Sequence, residues 1–227
     1  MKHDISLEDK YTQREGRVFM SGTQALVRLP MVQMWRDRAA GLKTGTYISG
    51  YRGSPLGAYD QQLTRAQKHL EKQDVIFQPG LNEDLAATAV WGSQQLHLSE
   101  GANKDGVLGM WYGKGPGADR SGDAFKHGNF AGTSKHGAVI ILSGEDHEAK
   151  SSSVPYQQEF GFEHSGIPVL YPGSVAEFLD YGLHGVAMSR FSGCWTAMKL
   201  VAPLCDGGEV VDLDNLAVPV IPQDFEV

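Results

Sequence analysis

Cysteine is scarce in this chain: Cys194 and Cys205 are the only two among 227 residues. Two thiols exclude a disulfide framework and a four-thiolate cluster built within the chain, and they make a reducing cytosol the default compartment. Basic runs are missing as well. With 20 Lys and Arg against 27 Asp and Glu, the formal net charge is −7 at pH 7. Such a surface does not attract a nucleic-acid phosphate backbone and points instead to a small ligand or a protein. No window has the length of apolar sequence that spans a bilayer, and residues 1–14 are charged and lack a signal-peptide core. The expectation is a soluble protein without a membrane partner. Internal repeats and low-complexity tracts are absent.

What the sequence does contain is enough apolar residue, 41%, to bury a full core in one large domain. After a polar lead, Ala25, Leu26, Leu29, Met31, Val32, Met34 and Trp35 predict a helix over 22–41, with Pro30 expected to bend it. Thr46-Tyr47-Ile48-Ser49 reads as a short buried strand running into a glycine turn, followed by a helix over 57–72 that turns Leu63, Ala66 and Leu70 inward. Further strands are predicted at 75–77, 106–112, 138–142, 168–171 and 195–201, and helices at 83–98, 156–164 and 174–190, the last capped by Ser174. Phe178, Leu179, Tyr181, Leu183 and Val186 share one face of that last helix and read as core or dimer contact.

Short apolar strands alternating with helices predict the α/β class: a doubly wound, mainly parallel sheet flanked by helices on both faces. Ligands on such sheets sit at the carboxyl ends of the strands. Those ends are expected to carry residues 50–57, 113–122 and 143–153, converging on one rim. The expected division is a lead over 1–20, a domain over 21–204, and an extended arm or linker over 205–227.

Several segments bear on chemistry. In Gly50-Tyr51-Arg52-Gly53-Ser54-Pro55-Leu56-Gly57, glycines supply permissive backbone angles for a strand-to-helix turn and Ser54-Pro55 starts the helix. Asn82-Glu83 opens a helix that is otherwise small and apolar. Glu83 is either an ordinary first-turn acid or a carboxyl set to meet a flat cofactor ring, and the residues alone leave both open. Residues 113–123 lack the Gly-Lys-Ser/Thr ending of a triphosphate-binding loop; they are expected to form a mobile loop over the site that places Lys114 or Arg120 near an anionic group. His127, His136 and His147 are separated by long loops without helical two-histidine spacing, so no metal site is expected. Ser151, Ser152 and Ser153 lack a nucleophile elbow, and no hydrolase triad is expected.

Four segments in order are similar to the thiamine-diphosphate-dependent 2-oxoacid:ferredoxin oxidoreductases, and within them to the indolepyruvate (arylpyruvate) branch in its long bacterial form. They are the 50–57 turn, the Asn82-Glu83 helix, Met110-Trp111-Tyr112-Gly113-Lys114-Gly115-Pro116-Gly117-Ala118-Asp119-Arg120-Ser121-Gly122-Asp123, and Gly144-Glu145-Asp146-His147-Glu148-Ala149-Lys150-Ser151-Ser152. The resemblance covers almost the whole chain. It implies a thiamine-diphosphate-binding fold, here the amino-terminal, pyrimidine-type domain that holds the aminopyrimidine half of the cofactor. It assigns Glu83 as the carboxyl that hydrogen-bonds N1′ of that ring and shares its proton. It places Gly50, Gly53, Ser54, Pro55 and Asn82 around the cofactor and turns Arg52, with Lys114 and Arg120, toward the oxoacid. Leu81, Leu85, Ala86 and Ala87 are expected to keep Glu83 dry and favour its neutral form, against the roughly 0.3–1 kcal/mol by which an exposed helix start favours the carboxylate. The implied reaction is oxidative decarboxylation of an aryl 2-oxoacid with coenzyme A, giving an acyl-CoA and reduced ferredoxin.

Other parts of that architecture are not in the sequence. Asp206-Gly207-Gly208 is not the family's diphosphate motif, no Asn-Asn pair occurs, and two cysteines cannot hold a cluster. The magnesium and diphosphate site, the iron–sulfur clusters and the coenzyme A-site domain are therefore expected on other domains or subunits, in a homo- or hetero-oligomer with the cofactor at an interface. The chain is expected to be a fragment, a split subunit or a truncated relative, incomplete as an enzyme alone. Two alternatives stay open: a non-catalytic assembly or regulatory subunit that keeps the fold, and a stand-alone anion-binding module.

Overall fold

A computed structural model of the chain describes residues 5–98 and 100–222. Helix α1 (Asp9–Thr12) leads into β1 (Arg17–Ser21) and α2 (Gly22–Ala39). Ser21 starts α2 with a capping box: its hydroxyl accepts from Gln24 N, and the Gln24 side chain accepts from Ser21 N. The chain continues through β2 (Thr44–Gly50), α3 (Tyr59–Arg65), α4 (Gln67–Glu71), β3 (Val75–Phe77), α5 (Glu83–Ser93), β4 (Gly106–Lys114), α6 (Gly115–Arg120) and α7 (Gly122–Ala131). It closes with β5 (Ala138–Glu145), α8 (Glu159–His164), β6 (Val169–Leu170), α9 (Val175–Ser192), β7 (Thr196–Val201), α10 (Ala202–Asp206) and β8 (Gly208–Asp212).

Six strands pair in parallel in the order β3-β2-β4-β5-β7-β6. Successive residues of a strand face opposite sides, and the core divides accordingly. Leu108, Met110 and Tyr112 of β4, with Ile140 and Leu142 of β5, pack under α2, α3 and α9. Trp111, Val139 and Ile141 pack under α5, α7 and α8. With both faces covered, β5 is buried along its whole length, which is why it reads as an unbroken apolar run. The α/β, doubly wound architecture expected from the sequence is the one observed. The apolar stripe of α9 lies in the core, with Phe178, Leu179, Leu183 and Val186 buried.

Buried ion pairs at Arg190 and Lys199 fasten the layers. The Arg190 guanidinium forks onto Asp37, Nη1 to Oδ1 and Nη2 to Oδ2 both at 2.7 Å, tying α9 to α2. Burial pulls the Asp37 carboxyl upward, but Arg190, Thr44 and Gln33 outweigh it and hold the group below its ordinary value. Lys199 of β7 lies 3.0 Å from Glu145 Oε2 and 2.5 Å from Glu159 Oε1. Burial alone would lower the Lys199 ammonium; the two carboxylates prevail and raise it.

The structure corrects several local expectations. The helix expected over 57–72 is split at Ala66 into α3 and α4, and the one expected to reach 98 ends at Ser93. Pro30, expected to bend α2, lies inside that helix, which spans Gly22–Ala39. The lead and the tail both contain strand: β1 pairs antiparallel with β8, Phe19 opposite Val210. Residues 113–123, expected as a mobile loop, form the end of β4, all of α6 and the start of α7. Pro116 suits the first turn of α6, and the buried Gly117 and Ala118 let that helix pack closely on α5. No helix among the described residues is long and apolar enough to cross a membrane.

Candidate functional site

From β2 the chain steps to β3 on one side and then to β4 on the other, so the strand order reverses between β2 and β4. In a doubly wound sheet, the crevice outside the carboxyl ends at such a reversal is where ligands bind. Those ends are Gly50 and Lys114. Gly50 is packed so closely that a Cβ there would lie 2.1 Å from Tyr112 O, so only glycine lets the turn leave between the strands. Beyond β3 the chain keeps bonding to β2, Gln78 N to Ile48 O at 3.0 Å and Gly80 N to Gly50 O at 2.9 Å. That extension carries Asn82 and Glu83 to the mouth of the crevice.

Asn82 caps α5, its Oδ1 accepting from Leu85 N at 2.9 Å. Glu83 is the first residue of α5, and its carbonyl accepts from the indole N–H of buried Trp111 at 2.9 Å. Its side chain lies against Gly117 and is 17% exposed. Arg120, at the end of α6, brings Nη1 within 3.7 Å of Glu83 Oε2 and Nη2 within 3.1 Å of Asp84 Oδ1. The dry shell expected around Glu83 is only half present. Ala86 and Ala87 are buried, but Leu81 and Leu85 are 88% and 52% exposed. Helical spacing explains the division: Ala86, Ala87 and Val90 turn to the sheet, which leaves Leu85 on the outer face. The Glu83 carboxyl is thus walled by α6, while Leu81 and Leu85 leave apolar surface exposed around the start of α5.

The 50–57 turn forms the opposite lip, with Pro55 and Leu56 buried and a cis Ser54–Pro55 bond. Ser54 Oγ donates to Asp146 Oδ2. Lys114, expected to approach an anionic group, meets the protein's own: its Nζ is 2.9 Å from Asp146 Oδ2 and also donates to Ala149 O and Ser151 Oγ. Arg52 is exposed. Its charge acts on Asp60 of α3, whose carboxyl burial raises, with the Tyr112 hydroxyl and Arg52 pulling the other way. Burial together with Asp60 raises the Tyr112 phenol well above its ordinary value.

The expected site residues therefore gather in two groups. Asn82, Glu83 and Arg120 form one; Ser54 and Lys114, with Gly53 against the Lys114 stem, form the other. Segments 50–57, 113–122 and 143–153 meet at Lys114. Trp111, Gly117, Asp146 and Ser151 belong to the site without having been assigned a role from sequence. Adjacent acids directly after the most apolar strand were a usable signal for Asp146, since a carboxylate placed there needs a partner; nothing local marks the Trp111 N–H. His127 is exposed and lies 3.3 Å from Asp123 Oδ1. His147, also exposed, lines a cavity of about 280 Å³ with Asp146, Glu148, Lys150, Ala202, Pro203 and Asp206. Among the described residues, no three His, Cys, Asp or Glu side chains are grouped to hold a metal ion.

The same architecture occurs in the 2-oxoglutarate:ferredoxin oxidoreductase from Magnetococcus marinus, solved with 2-oxoglutarate, coenzyme A and succinyl-CoA bound. The match covers 90% of this chain and 33% of that one, with a TM-score of 0.66 at 13% identity. At that identity the likeness is one of fold, and it spans a third of the larger chain. No protein-family model matches the sequence. No curated protein matches it either.

Proposed function

We propose that this chain is the pyrimidine-holding part of a thiamine-diphosphate-dependent 2-oxoacid:ferredoxin oxidoreductase. The observation that carries the proposal is the position of Glu83. It is a largely enclosed carboxyl at the start of α5, beside the strand-order reversal, and apolar Leu81 and Leu85 are exposed around that helix start. A flat heteroaromatic ring needs such a pair of features, a proton-sharing oxygen at its edge and apolar surface at its face. The fold shared with the oxidoreductase from Magnetococcus marinus supports the same proposal.

The residues present suit the pyrimidine half of the cofactor and not the other half. The described acids are not grouped for a magnesium ion, and Asp206-Gly207-Gly208 is spent on the end of α10 and the start of β8. The diphosphate, the iron–sulfur clusters and the coenzyme A site belong, in this proposal, to partner domains or subunits. Thiamine diphosphate, when bound, supplies the nucleophilic carbon that lets a 2-oxoacid release carbon dioxide.

In this scheme Glu83 holds and shares a proton at N1′ of the ring. Trp111 fixes the Glu83 carbonyl, and Asn82 fixes the first turn of α5, so the carboxyl has a defined direction. Gly50, Gly53, Ser54 and Pro55 shape the facing lip. Arg52 and Arg120, both exposed enough to meet a ligand, supply positive charge for the oxoacid carboxylate. Sequence resemblance favours an aryl 2-oxoacid such as indolepyruvate, with coenzyme A as acyl acceptor and ferredoxin as electron acceptor. In the assembled enzyme Glu83→Gln is expected to melt as the parent does and to lose oxoacid turnover; normal turnover in that variant would overturn the assignment.

A further inference from the structure

We infer that Lys114 is a positioning residue whose buried ammonium locks the 51–57 turn and the 146–151 loop to the end of β4. An ammonium has three hydrogens to donate. Three acceptors surround this one: Asp146 Oδ2 at 2.9 Å, Ser151 Oγ at 3.0 Å and Ala149 O at 2.7 Å, with Ser54 Oγ farther off at 3.5 Å. The side chains of Lys114 and Asp146 are 9% and 1% exposed, so the pair is shielded from water. Every donor is used inside the protein, and none is left to bind an oxoacid.

The partners show what is being held. Ser54 reaches the same Asp146 oxygen from the turn, and a Cβ on Gly53 would lie 3.0 Å from Lys114 Cβ, so the turn rests on the lysine stem. On the other side Ala149 and Lys150 have φ of 62° and 37°, a left-handed backbone that residues with side chains adopt only where their surroundings enforce it. The carbonyl of Ala149 is one of the three acceptors. Lys114 thus joins a lip of the crevice to a strained loop, and the pair moves or stays as a unit. The loop-locking role stands on these contacts alone; its consequence for turnover rests on the proposed oxidoreductase function.

Three variants test it: Lys114→Met, Asp146→Asn, and the double variant, which removes both charges and leaves no buried ion alone. Peptide-resolved hydrogen exchange on the full chain should show residues 51–57 and 146–153 exchanging at least about tenfold faster in the double variant, with β4 and β5 unchanged. Unchanged exchange in both segments overturns the inference. In the assembled enzyme, Asp146→Asn should reproduce Lys114→Met, kcat/KM for the oxoacid falling at least about tenfold in both. Were Lys114 a substrate ligand, only Lys114→Met would raise KM while Asp146→Asn left it unchanged, and that split overturns the inference. Faster exchange together with no thiamine-dependent turnover in the parent enzyme would support the locking role and count against the oxidoreductase proposal.

Discussion

Glu83 and Gly117 touch so closely that a methyl group on Gly117 would lie 2.4 Å from Glu83 Cγ and 2.7 Å from its Oε1. The absence of a side chain at Gly117, inside α6, is what allows the carboxyl to lie in its present place. Gly117→Ala should therefore push the Glu83 side chain aside while leaving the sheet intact. A misplacement on the order of 1 Å at a reacting group can cost about a hundredfold in rate. The expected outcome is a fall in kcat of at least about tenfold with near-parental thermal stability, read by steady-state kinetics and a melting curve. Parental kcat would show that the contact does not set the carboxyl's direction.

Asn82→Ala removes the side-chain acceptor for Leu85 N at the start of α5. Loss of such a cap costs about 1 kcal/mol. Urea unfolding should show that decrease, and hydrogen exchange should localise it to the first turn of α5. Asn82→Asp keeps the acceptor and should keep the stability.

Arg190→Met leaves the Asp37 carboxylate buried without its fork partner, and removing one member of a buried pair costs about 3–5 kcal/mol. The pair also sets the direction of the acid dependence. In the folded chain the Asp37 carboxyl lies below its ordinary value, so the unfolded chain takes up the proton more readily. The stabilisation is complete above the unfolded-state value of about 3.9 and is lost as pH falls through the lower folded value. Unfolding free energies measured from pH 7 down to pH 3 should decline in the parent chain below about pH 4. Arg190→Met should lack this Asp37 contribution to the decline.

Much of this arrangement was legible in the sequence because it is written in local pattern. The β5 run at 138–142 is apolar throughout because both faces of that strand are covered, and the Ser174 cap marks the start of α9 by its hydroxyl. The glycine turn and the Asn82-Glu83 helix start follow successive strands, so the alternation of elements alone puts them on the same edge of the sheet. What was not legible depends on distant partners. β1 and β8 are strands only because they pair with each other across almost the whole chain. Residues 113–123 are rich in glycine, which argues for a loop, yet Gly117 packs on Glu83, and in the helix that follows Gly128 packs on Trp195. Those contacts reward glycine inside helices α6 and α7. Leu81 and Leu85 read as a dry shell because their apolarity is visible and their direction is not. Lys114 read as a ligand for an anion, since nothing next to it announces Asp146 from a loop thirty-two residues on.

Lys199 offers a contrast between two carboxylates held by one ammonium. Glu145 is almost wholly buried and Glu159 is about a third exposed. Lys199→Met should destabilise the chain by about 3–5 kcal/mol, because Glu145 would remain buried without its cation. Glu159→Gln should cost less than about 1 kcal/mol, since water already screens that contact. Denaturant titration of the two variants checks the ordering, and equal losses would show that both carboxylates are held in equivalent surroundings.

The most direct measurement is viologen-dye reduction by the chain assembled with its native partners. The reaction would be driven by indolepyruvate and coenzyme A, with and without added thiamine diphosphate and magnesium. The account predicts reduction that requires both additions and disappears in Glu83→Gln. No reduction by a complex shown to contain the diphosphate and iron–sulfur parts, with indolepyruvate and with non-aromatic 2-oxoacids alike, would contradict it.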